Sequence, residues 1–141
     1  MSEADGRAIG EAFLEHPLHE LYDPAAPGEL QGAEAVLKIR LPDSYRGFLL
    51  VGSGGVLATG DLLLGTKDPD GIGATLQDVA PALWDDGLPR TLLPFYDGDR
   101  FLCLDLASPG GDEVVEVDPE TFEVGARLGA FPAFARPLLE D

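Results

Sequence analysis

The chain has 141 residues, with 9 Lys plus Arg against 26 Asp plus Glu and a formal net charge of −17. A domain of this length buries roughly 70% of the surface its unfolded chain exposes, so one core suffices; a field of this sign repels phosphate backbones, so no nucleic-acid partner is expected. No apolar run approaches the ~20 residues that span a bilayer, and the N-terminus lacks the basic and apolar regions of a secretory signal, so no membrane association and a cytoplasmic location are expected.

The hydrophobic fraction of 45% is that of a globular protein, and the 18 Gly and 12 Pro read as turn punctuation. The first predicted element is a helix capped by Asp5, with Ile9 and Phe13 at i and i+4, Leu14 beside them and Pro17 at its end. The loop LYDPAAPG follows, so residues 1–28 are expected to form a helical extension packed on the main domain. A second helix is predicted over about 29–39, where Leu30, Ala33 and Leu37 share a face and Glu34 and Lys38 form an i,i+4 pair. Pro42 breaks it. A third helix, about 43–51, places Tyr45, Phe48 and Leu49 together and uses Gly52 near its C-terminus.

Beyond Gly52, Gly54 and Gly55 the pattern becomes β-like, first over residues 56–59 and then 61–64. A fourth helix is predicted over about 74–85, with Leu76, Val79, Ala80 and Leu83 inward and Pro81 disturbing its middle. Residues 92–96 and 100–106 flank the turn Asp97, Gly98, Asp99 and read as a hairpin. Both faces of the second strand are largely apolar, which places it centrally in the sheet. A strand over residues 113–117, a weaker one near 122–124 and short helical turns within 131–139 complete the chain. The predicted class is α+β, an antiparallel β-meander with helices packed mainly on one side.

Chemistry is sparse. His16 and His19 are three apart, but Pro17 interrupts a regular helix and no third ligand has a fixed spacing, so no metal site is predicted. Aligning Gly71 with the sixth position of a calcium loop would put Thr66 first and Gln77 twelfth, neither of which supplies the required carboxylate. GSGG at 52–55 lacks the ending of a phosphate loop, and Ser53 is no nucleophile elbow because Val51 stands where glycine would be needed. Cys103, the single cysteine, reads as a small core residue. No catalytic residue and no cofactor is predicted.

The segment AEAVLKIRLPDSYRGFLLVGSGGVL, residues 33–57, and the hairpin LLPFYDGDRFLCLDLA, residues 92–107, resemble the SUKH superfamily, in particular its Smi/Knr type. Leu41, Pro42, Tyr45, Phe48, Leu49, Gly54 and Gly55 carry the first likeness. Pro94, Phe95, Gly98, Asp99, Phe101, Leu104 and Asp105 carry the second. Ser53 stands where the family commonly has Asn. The resemblance implies a SUKH-like domain over 29–141 and a function in protein binding, since many bacterial members are immunity proteins that neutralise a cognate toxin, often a nuclease. The acidity then fits a partner with a basic surface; serving solubility alone is the other reading. The candidate contact residues are the acidic turns Asp68, Asp70, Asp85, Asp86, Asp97, Asp99, Asp112 and Glu113, with Trp84 either an interface anchor or a core residue.

Overall fold

The structure is a computed structural model and describes residues 2–140. Its first helix, α1 (Glu3–Glu15), is capped by Ser2, whose Oγ accepts from the Asp5 N–H at 3.2 Å while Asp5 Oδ2 accepts from the Ser2 N–H at 2.9 Å. This reciprocal pair makes Asp5 the partner of the cap and not the cap itself. Ile9 and Phe13 are buried, whereas Leu14 is 56% exposed.

Helix α2 (Pro27–Leu37) starts two residues before the predicted point because Pro27, with its fixed φ and no N–H to satisfy, suits a first helical position. It ends at Lys38, which adopts the left-handed conformation (φ 57°). Glu34 does not pair with Lys38 as its spacing suggests. Its carboxylate meets the Arg46 guanidinium and accepts from the Leu41 N–H at 2.8 Å, so it bolts the proline corner between α2 and α3 (Asp43–Leu49). Tyr45, Phe48 and Leu49 are fully buried on α3, which stops two residues short of the predicted end.

Seven strands form one antiparallel sheet in chain order: β1 (Glu20–Leu21), β2 (Gly55–Val56), β3 (Leu62–Leu63), β4 (Leu92–Asp97), β5 (Phe101–Asp105), β6 (Glu113–Val117) and β7 (Val124–Ala130). Every neighbouring pair is antiparallel, so the sheet is a pure meander. Cys103 and Val115 are paired on one face, Leu104 and Val114 on the other, and all four are fully buried, as the apolar run in β5 predicts. Helix α4 (Leu76–Asp85) lies between β3 and β4. Thr75 caps it by accepting from the Asp78 N–H at 3.1 Å, and it carries Pro81 inside. Helix α5 (Phe131–Ala135) and a 3₁₀ turn over Arg136–Leu139 close the described chain.

The helices meet the sheet through aromatic rings. Phe131 of α5 lies edge-on to Tyr45 (4.9 Å), Phe48 (5.2 Å) and Phe95 (5.9 Å), and Phe13 of α1 is edge-on to Phe48 at 5.6 Å. These are the separations at which ring quadrupoles attract. Two glycines let α1 approach α3 closely. A Cβ on Gly6 would fall 1.7 Å from the Ser44 carbonyl oxygen, and one on Gly47 would fall 2.0 Å from that of Glu3. Residues before 29 therefore belong to the same core: Phe13 is fully buried, and β1 is the first strand of the sheet.

Candidate functional site

A cleft of about 650 Å³ opens where three separated segments meet. Val79 and Leu83 of α4 form one wall, Asp97 to Phe101 of the β4–β5 turn a second, and Glu116 to Gly125 at the β6–β7 turn the third, with Leu64 also in the lining. Leu64, Val79, Leu83, Phe101, Val117, Phe122 and Val124 are its apolar lining residues. Asp97, Asp99, Glu116, Asp118 and Glu123 line it too, and Arg100 is the single cationic side chain among the lining residues. Five carboxylates against one guanidinium leave a net charge of −4 around a cleft of mixed polar and apolar lining.

Local structure holds these groups in place. Asp61, buried between the β2–β3 and β4–β5 turns, accepts from the Tyr96 hydroxyl at 2.6 Å and from the Asp99 N–H at 3.2 Å. The Tyr96 hydroxyl bond holds the Asp61 carboxyl below the usual range, and burial together with Asp61 itself pushes the Tyr96 phenol upward. Gly98 is required here, since a Cβ would stand 1.9 Å from Asp61 Oδ1. On the opposite wall Asp118 Oδ1 accepts from the Glu120 and Thr121 N–H groups at 2.8 and 3.0 Å. Those donors hold its carboxyl below the usual range. Phe122 completes the turn in the left-handed region (φ 61°) with its side chain half-buried, a conformation that a bulky residue keeps only when its surroundings enforce it.

The predicted contact residues divide into four groups. Asp97 and Asp99 lie in the cleft and are exposed. Asp85 and Asp86 are exposed at the end of α4, next to Gly87, whose Cβ position is 3.9 Å from the Phe122 ring. No basic residue occupies the last turn of α4, so these carboxylates add to the negative end of the helix dipole. Asp70 is exposed, while Asp68 folds onto its own loop, accepting from the Gly73 and Ala74 N–H groups at 2.7 and 3.2 Å. The last three depart from the surface reading. Trp84 is 8% exposed, donates Nε1–H to the Leu92 carbonyl at 2.8 Å and carries the Arg90 guanidinium 4.6 Å above its ring. It is a core residue and not a free anchor. Asp112 is 2% exposed and accepts from Ser44 Oγ at 2.7 Å, because this turn folds under α3. Glu113 is half-buried and ion-paired with Arg127, which Asp105 also binds at 3.1 Å.

Glu116, Asp118, Glu123 and Phe122 escaped the sequence reading, although DPETFE displays an acidic turn in plain view. What the sequence hides is that this turn faces the β4–β5 hairpin. The histidines have structural partners. His19 accepts from the Ala58 N–H at Nδ1 (2.9 Å), donates from Nε2 to the Leu138 carbonyl (2.7 Å) and stacks between Phe13 and His16. Among the described residues no group of three or more His, Cys, Asp or Glu is arranged to hold a metal ion, and no helix is long and apolar enough to cross a membrane. Burial pushes the Cys103 thiol up to about 12.

By its fold the chain is an α+β protein of an architecture already seen in the solved structures, 18 chains of which match. One is the crystal structure of a protein from Pseudomonas syringae pv. tomato, 24% identical, with a TM-score of 0.72 over 95% of this chain and 98% of that one. Family membership follows from the sequence match: residues 10–131 fit the SUKH_5 model, described as SMI1-KNR4 cell-wall, and the chain belongs to that family within the SUKH superfamily. The matched region begins inside α1, in agreement with the contribution of α1 to the core. No curated protein matches the chain.

Proposed function

We propose that this protein is a non-enzymatic binding domain of the immunity type, which acts in the cytoplasm by capturing and neutralising a cognate bacterial toxin with a basic surface. The observation that carries the reading is the uneven use of charge. Among the described residues, Arg40, Arg46, Lys67, Arg100 and Arg127, five of the nine basic side chains, sit in intramolecular ion pairs with neighbouring carboxylates, while exposed carboxylates gather around the cleft. Such a surface favours encounter with a cationic partner and disfavours nucleic acid, because complementary fields raise association rates while like charges repel. Nuclease toxins carry basic surfaces to hold their own substrate, so an acidic inhibitor competes on the same terms. Of the candidate contacts, Asp70, Asp85, Asp86, Asp97 and Asp99 are the ones this reading uses.

The test is co-expression with each neighbouring gene product that arrests growth when expressed alone. The chain is expected to restore growth and to co-purify with the toxin at low salt, with less recovered at high salt. Growth arrest that persists despite soluble expression of the chain overturns the immunity reading. The cell-wall description of the family model favours a second reading, a regulatory or scaffold domain whose acidity serves solubility. Under that reading, replacing Asp85, Asp86, Asp97 and Asp99 by Asn leaves partner binding unchanged.

A further inference from the structure

The cleft brings carboxylates and apolar side chains into one concavity. Asp97, Asp99 and Glu123 line it together with Leu83, Phe101 and Phe122. The cleft's volume of about 650 Å³ lies within the ~300–1,000 Å³ typical of specific ligand sites and exceeds the needs of a single bound ion. Its only lining cation, Arg100, is half-exposed, with Nε 3.6 Å from Glu116 Oε2, a loose contact that incoming groups can replace at little cost.

The neighbouring sheet edge offers a different mode of recognition, and its construction argues against that use. Strand β7 is an edge strand, yet its pairing with β6 shifts register twice over seven residues and Arg127 projects from it. Bulges and a charged residue are devices that blunt an edge against added strands. A second copy of this chain is equally disfavoured in the cleft, since it would bring a second −17 charge to an acidic rim.

Resting on the protein-binding reading above, we infer that the cleft receives a short cationic segment of the partner. One large apolar side chain seats among Leu83, Phe101, Val117 and Phe122, and Arg or Lys residues on either side meet the carboxylates of Asp97, Glu116 and Glu123. The apolar side chain supplies burial and the flanking cations supply orientation, the usual division of labour at an interface core and its rim. Arg100 is the internal stand-in for one of those cations, released when the partner's own cation reaches Glu116.

The experiment uses the full chain and three probes: the capped peptide Arg-Arg-Leu-Arg-Arg, its counterpart with Ser in place of Leu, and spermine. Binding is followed by calorimetry and by amide shifts in NMR spectra. The Leu peptide is expected to bind at least threefold more tightly than the Ser peptide and than spermine, with shifts centred on Leu83, Phe101, Val117 and Phe122. Combining Asp97→Asn, Glu116→Gln and Glu123→Gln, side chains that cap no turn, is expected to weaken it about tenfold, and Arg100→Ala to tighten it about twofold. Equal affinity for the three probes, shifts centred elsewhere, or indifference to the triple substitution overturns the inference. A toxin that binds the triple variant as well as the parent chain also overturns it while leaving the immunity reading intact. Peptide binding in the cleft without protection from the toxin does the reverse.

Discussion

Replacing Gly47 by Ala tests the contact that makes α1 part of the core. The new Cβ would stand 2.0 Å from the Glu3 carbonyl oxygen, whereas ordinary contact begins near 3.4 Å, so α1 and α3 must separate by more than an ångström at their crossing. Backbone cannot swing aside as a flexible side chain would. Overpacking of this kind costs about 1–3 kcal/mol, with the upper end expected where backbone meets Cβ. The gain in helix propensity from Gly to Ala, about 1 kcal/mol, acts in the opposite direction. A net loss of about 2 kcal/mol follows. Gly32 in α2 supplies the control, because a Cβ there has no atom within 4 Å, so Gly32→Ala keeps the propensity gain and should stabilise by about 0.5–1 kcal/mol. Urea unfolding followed by circular dichroism reads both variants, and the midpoints should move in opposite directions at constant slope. A Gly47→Ala protein as stable as the parent would refute the close crossing of α1 and α3.

Three further outcomes follow from the buried polar and reactive groups. Trp84→Ala should cost about 3–5 kcal/mol of stability, since it removes a core indole together with its bond to Leu92, whereas an interface anchor would lower affinity and leave the unfolding midpoint in place. Cys103, buried with its thiol raised to about 12, should resist an aromatic disulfide reagent at pH 8 in the native protein and react at once in denaturant; fast native labelling would contradict its burial. Asp61 has its carboxyl depressed by the Tyr96 hydroxyl, so its stabilising effect is fully present above the ordinary value of 3.8 and is lost as pH falls through the lower folded-state value. Asp61→Asn should therefore lessen the loss of stability in that acid range, and an acid limb identical to that of the parent would count against the pair.

Most of the architecture was legible where a signal ran over several residues. The hairpin of β4 and β5 announces itself by apolar faces around Asp97–Gly98–Asp99, and β6 has the predicted bounds of Glu113–Val117. Strand β1, two residues long, is too short for alternation to register, whereas β2 and β3 fall within or at the edge of the expected runs 56–59 and 61–64 but keep only two residues each. Strand β7 reads VGARLGA, poor in β-branched and aromatic residues, and is held by pairing with β6 that propensity does not foretell. Pro27 and Ser2 moved two helix starts by a few residues. The N-terminal segment looked peripheral because its role depends on Gly6 meeting Ser44, a contact across 38 positions.

The site was legible only in part, for a related reason. Charge identified the acidic turns but not which of them share a surface, and the cleft joins segments near 80, 100 and 120 that only the meander brings together. Asp112 looked like any other turn acid, and the Ser44 hydroxyl that buries it lies 68 residues away. Trp84 left both readings open until the Leu92 carbonyl was seen to satisfy its N–H. Ser53, in the place of the family's usual Asn, has a local explanation: its Oγ accepts from the Thr66 N–H at 2.8 Å and tethers the glycine turn to the loop after β3.

Recognition of a basic protein by this acidic surface is tested most directly by the association rate with the toxin that co-expression identifies. Stopped-flow measurements over a range of salt concentrations, on the parent chain and on the combined Asp85→Asn, Asp86→Asn, Asp97→Asn and Asp99→Asn variant, separate steering from contact. Electrostatic recognition gives fast association that slows steeply with salt, and a variant whose rate is lower and whose salt dependence is flatter. A rate indifferent both to salt and to the four substitutions would contradict it.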